Sequence, residues 1–75
     1  RVPVLKKAAT NYLDWLWYID HKDNDGAEAA YAAYQFHKGQ LIAEMMRDMP
    51  NVEQPDAEDY VTGMIDGYIE AVTDD

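Results

Sequence analysis

A chain of 75 residues and 8.6 kDa has room for one small domain, spanning 1–75. A hydrophobic share of 48% and an aromatic share of 12% exclude a disordered tail, because burying that much apolar surface offsets the entropy of ordering. Fifteen carboxylates against six Lys and Arg leave a formal charge of −9, which sets aside direct nucleic-acid binding and attachment to an anionic membrane.

Cysteine is absent, so there is no disulfide framework, no thiolate zinc site and no cysteine nucleophile. No apolar run approaches the roughly 18 residues that span a bilayer. No signal-peptide pattern is visible either, and the expected location is the cytoplasm. A single core in a chain this short supplies about 3–5 kcal/mol. Without disulfides, oligomerisation becomes the more expected source of added stability.

Three helices are predicted in chain order. The first runs from about residue 4 to residue 20, with Pro3 in a position where its missing N–H costs nothing. Helical periodicity gathers Leu5, Ala8, Ala9, Tyr12, Trp15, Leu16 and Ile19 on one face. Trp17 falls on the polar arc with Lys6, Thr10 and His21, while Tyr18 lies near Asp14 and Lys7. Trp17 and Tyr18 are therefore candidate partner-binding aromatics. The plainer reading is that Trp17 covers the edge of the core beside Leu13.

A polar turn, His21–Gly26, follows. Asp25 with Glu28 three residues on reads as a capping box opening the second helix, about 26–49. At about 1.5 Å per residue it spans roughly 36 Å, against about 25 Å for either neighbour, and is expected to project. It carries two apolar stripes. One contains Ala27, Ala30, Tyr31, Tyr34, Leu41, Ile42, Met45 and Met49, with Lys38 in its midst. On roughly the opposite side lie Ala29, Ala32, Phe36, Gly39, Ala43 and Met46. An isolated three-helix bundle needs only one broad apolar sector on each helix. Alanine is simply a good helix former, but a mid-helix glycine costs about 1 kcal/mol. The second stripe, represented by Ala29, Ala32, Phe36, Gly39 and Ala43, is thus a candidate self-association surface, and a homodimer is expected.

Pro50 and Pro55 break the chain again, and a third helix is predicted over about 56–72. Its inward face is Ala57, Tyr60, Val61, Met64, Ile65, Tyr68, Ala71 and Val72. From Val52 onward there are eight carboxylates, ending in Asp74 and Asp75, and no Lys or Arg. Asp59, Asp66 and Glu70 share one narrow outer stripe. With Glu58 they form a candidate surface for a basic partner, the alternative being a merely solvated face. Strand signals are absent. Short links favour antiparallel neighbours, so the expected fold is an all-α, three-helix antiparallel arrangement.

Residue chemistry speaks against an enzyme. Serine is absent, and Thr10, Thr62 and Thr73 have no obvious base. No glycine-rich phosphate loop occurs. Asp23-Asn24-Asp25-Gly26 matches part of a calcium loop, but His21 and Ala32 would then occupy the first and twelfth ligand positions, where carboxylates are required. His37 and Glu44 share a face, yet two ligands about 10 Å apart along a helix do not make a site. No metal and no cofactor are expected.

The function expected is that of a small acidic protein–protein interaction module. It would bind and block a macromolecular partner with a basic surface. One specific version imitates the charge of nucleic acid, as some phage-encoded inhibitors do. The alternative is a structural small subunit buried in a larger assembly through its apolar helix faces.

Overall fold

The structure, a computed structural model, describes residues 2–73. They form three helices: α1 (Val2–Asp20), α2 (Asn24–Asp48) and α3 (Gln54–Thr73). Each helix begins two residues earlier than the sequence pattern indicates, and α2 is the longest at 25 residues. Among the described residues there are no strands. Asp74 and Asp75 lie outside the described residues.

The link between α1 and α2 is tight. The N–H of Lys22 donates to the Ile19 carbonyl (3.1 Å) and that of Asp23 to the Tyr18 carbonyl (2.9 Å). This is a Schellman closure, which satisfies carbonyls that the last helical turn leaves open. It places Lys22 in the left-handed region, at φ 59°. Asp23 then caps α2, its Oδ1 accepting from the N–H of Gly26 at 3.0 Å. The capping role expected of Asp25 therefore belongs to Asp23, and Asp25 lies in the first turn. There its charge still faces the positive end of the helix dipole. The Schellman closure itself moves the start of α2 back, because it delivers the chain to a non-helical residue at Asp23.

At the other end of α2, Met49 leaves helical geometry (φ −127°, ψ 79°) directly before Pro50, as steric conflict with a proline ring demands. Pro55 lies in the first turn of α3, where it needs no hydrogen-bonded N–H.

α1 and α2 lie antiparallel: Tyr12 pairs with Tyr34 and Trp15 with Tyr31, so residue numbers rise on one helix as they fall on the other. They touch far more extensively than either touches α3. The core is a cluster of Ala8, Ala9, Tyr34, Leu41, Met45, Ala57, Val61 and Ile65. Ala8, Ala57 and Val61 are wholly inaccessible to solvent. Alanine on α1 facing alanine and valine on α3 lets the backbones approach closely.

Seven residues expected inside are exposed: Leu16 (42%), Ile19 (49%), Tyr31 (42%), Met49 (49%), Tyr60 (59%), Val72 (49%) and Ala71. Full burial on α3 stops at Ala57, Val61 and Ile65, so this helix covers only part of the hairpin. The last turns of α1 have no third helix over them. In its place, Tyr12, Trp15, Tyr31 and Tyr34 close a circuit of rings with centroid separations of 5.6, 5.1, 6.0 and 5.3 Å. Each such pair contributes about 0.5–1.5 kcal/mol beyond its area burial.

Candidate interaction surfaces

The carboxylates singled out on the third helix, Glu58, Asp59, Asp66 and Glu70, are all exposed. Among the described residues, Glu58, Asp59 and Glu70 make neither a hydrogen bond nor an ion pair. Asp66 differs, because its charge reaches Tyr34 on α2. The Tyr34 hydroxyl has its pKa raised, first by burial and then by Asp66, with Tyr12 and Tyr31 adding to the effect. Asp66 thus lies on the flank of α3 nearer α2. Glu58 also leans that way, sharing an open groove with Lys38, Gly39, Ala43 and Met46. The acidic surface accordingly wraps from the outer side of α3 onto its flank.

Lys38, which the pattern places inside an apolar stripe, is half-buried with its Nζ 5.7 Å from the centre of the Tyr34 ring. A cation over an aromatic face keeps part of its stabilisation without a carboxylate.

The second stripe of α2 points outward from Ala29 to Ala43, while Met46 at its end is half-buried against the core. Ala29, Ala32, Gly39 and Ala43 are exposed, and Phe36 is 64% exposed. Nothing lies within 4 Å of a Cβ placed on Gly39. The apolar residues of α2 are consequently spread around its circumference rather than gathered on one side. The stripe is not uniform in its surroundings. Gly39 and Ala43 border Glu58 of α3, whereas Ala29 and Ala32 neighbour Asp25 and Glu28.

Trp17 is 55% exposed. Its ring stacks on His21 at a centroid distance of 3.8 Å and meets Tyr18 edge-on at 5.2 Å. The Trp17 carbonyl accepts from both the backbone N–H of His21 (3.0 Å) and its Nδ1 (2.8 Å), which holds the imidazole over the indole. One indole face is therefore occupied by the imidazole, and part of the remainder, beyond the contact with Tyr18, is open to solvent. Tyr18 is half-buried against Gly26, and so belongs to the interhelical turn more than to a shared surface with Trp17.

Sequence reasoning missed a cleft at the far end of the molecule, between the end of α2 and the first turns of α3. Leu41, Met45, Asp48, Met49, Tyr60 and Met64 enclose about 100 Å³. The signal was present in two i, i+4 pairs, Met45 with Met49 and Tyr60 with Met64, which were assigned to the core. Arg47 Nε lies 3.8 Å from Asp48 Oδ1 beside it.

His37 Nδ1 donates to Gln40 Oε1 at 2.8 Å, a local bond that does not involve Glu44. Among the described residues no three His, Asp or Glu side chains converge as a cation site. None of the helices is long and apolar enough to cross a membrane. No protein-family model, characterised protein or solved structure matches the chain.

Proposed function

We propose that this chain is a small acidic interaction module that binds and blocks a partner carrying a basic surface. The observation that carries this reading is the outer face of α3. Asp59 and Glu70 are exposed there, with Glu58 exposed on the adjoining flank, and none of the three has an ion pair among the described residues, on a helix that contains no Lys or Arg. Such charge speeds encounter with a basic target and raises specificity more than it raises affinity. A narrower form of the proposal is imitation of nucleic-acid charge against a nucleic-acid-binding protein. The half-exposed Trp17 would add an apolar contact.

Self-association through α2 belongs to the same proposal. Antiparallel pairing centred on Phe36 would set Ala29 against a second copy's Ala43, with Asp25 opposite that copy's Arg47. The small side chains permit close approach and the terminal charges are complementary.

The test is affinity capture from cell extract with the wild-type chain and with Asp59→Asn/Asp66→Asn/Glu70→Gln, washed at low and at high salt. The expected result is a basic protein retained by the wild type, lost in the triple variant and lost in high salt. A partner held equally by both chains under all washes would refute the blocking role.

A second reading, a structural subunit of a larger assembly, is favoured by Leu16, Ile19 and Tyr31 at the open end of the hairpin, each 42–49% accessible. It predicts capture that is indifferent to salt and to the three carboxylates.

A further inference from the structure

The cleft between the end of α2 and the start of α3 has a built form. Leu41 and Met45 make its floor, 2% and 9% accessible, while Met49 and Tyr60 stand at its rim, 49% and 59% accessible. Its volume, about 100 Å³, is on the scale of one large aliphatic or aromatic side chain. Three of the four methionines line it. Methionine is flexible and polarizable, and it adapts to whatever apolar group enters.

The charged residue in the lining is Asp48, with Arg47 Nε 3.8 Å from its Oδ1. Asp56 precedes Tyr60 by four residues, so it lies on the same face of α3 one turn beyond the rim. Asp56 and Glu53 are both exposed, with no ion pair among the described residues. An apolar side chain flanked by carboxylates of its own would be repelled here, and one flanked by lysines or arginines would be attracted.

We propose that this methionine-lined cleft is a docking site for a basic amphipathic helix of another protein, which inserts one large apolar side chain between Met49 and Tyr60. A helix is the fitting form of partner, because a groove between two helices accepts apolar groups spaced by one helical turn. The site deepens the reading of an acidic module with a basic partner and rests on it.

The methionines supply the readout. Met46 lines the separate groove beside Gly39 and Ala43, so it is an internal control. With the four methyl groups labelled for NMR, the full chain is titrated with a synthetic helical peptide bearing leucines on one face and lysines on the other. The expected result is movement of the Met45, Met49 and Met64 signals with Met46 unmoved. A peptide with glutamates in place of lysines, and one with alanines in place of leucines, should each produce no such movement. Met49→Gln, a change at the exposed rim that leaves the floor intact, should weaken the lysine–leucine peptide about tenfold.

Salt-sensitive binding of that peptide without movement of the three signals would overturn the cleft proposal and leave the acidic-surface reading standing. Equal responses to the lysine and glutamate peptides would overturn the basic partner in both. An equal response to the alanine peptide, or movement of all four methyl signals alike, would overturn insertion into the cleft.

Discussion

Lys22 sits at φ 59°, a region that costs most L-residues about 1–2 kcal/mol, because the Schellman closure of α1 requires it. Asp23 is at once the residue that completes this closure and the cap of α2, so no residue separates the two devices. Such economy leaves little space. A Cβ at Gly26 would lie 2.5 Å from Tyr18 Cδ1 and 2.9 Å from Asp23 Oδ2. Gly26→Ala therefore sets a gain in helix propensity of about 1 kcal/mol against overpacking of about 1–3 kcal/mol and a disturbed cap. The expected outcome is net destabilisation, read as a lower urea midpoint. Adding Tyr18→Ala should recover part of it, and additive losses would show that the two side chains do not compete. The spacing of polar residues in the turn made a cap visible in the sequence. Which aspartate performs it depended on how α1 ends, which a search for capping boxes does not weigh.

Helical periodicity located α1 and α3 well, because each has one predominant apolar face and a polar remainder. It was less informative for α2, whose two stripes oppose each other. The inward residues of α3 that are truly covered, Ala57, Val61 and Ile65, are those at the crossing with the hairpin, and Tyr60 and Val72 fall outside it. Periodicity reports which side of a helix is apolar but not how far along that side a neighbour extends. Ile65, 1% accessible, is the largest wholly covered side chain at the crossing. Ile65→Ala should cost about 2–5 kcal/mol, against a total of about 3–5 kcal/mol for a core of this size. The expected result is a chain with little cooperative urea transition at 25 °C. Retention of more than half of the wild-type midpoint would show that α3 contributes little to stability. In α2, the surplus apolar stripe was legible from Phe36 and Gly39, and both are exposed. The cleft was not legible, since Met45, Met49, Tyr60 and Met64 read equally well as core until the gap between two helices was placed.

Across the whole molecule, a formal charge of −9 on 75 residues opposes association of like copies, while exposed apolar surface on α2 and at the open end of the hairpin favours it. The balance between these depends on screening, because the Debye length falls from about 30 Å at 0.01 M salt to about 10 Å at 0.1 M. Pairing through α2 predicts a sedimenting mass that approaches twice 8.6 kDa as salt is raised. Phe36→Glu should hold the mass at the single-chain value under the same conditions. An unchanged mass in the wild type at all salt concentrations would exclude pairing through this stripe. The same charge bears on the proposed partner in the opposite sense, since salt should weaken that complex as it strengthens self-pairing.

Composition and periodicity alone were enough to establish an acidic, cysteine-free, all-α chain of three helices with short antiparallel links. These properties are local: helix propensity, proline sterics and turn chemistry act over a few residues and are written along the chain. Where α3 crosses the hairpin is not local. That placement decided that Leu16 and Ile19 stay open to solvent, that Asp66 acts on Tyr34, and that Met49 and Tyr60 stand at the rim of a cleft instead of filling the core to which Met45 belongs. Each of these depends on the distance between residues far apart in the chain, and such distances arise only when close-packed side chains settle one relative position for the helices.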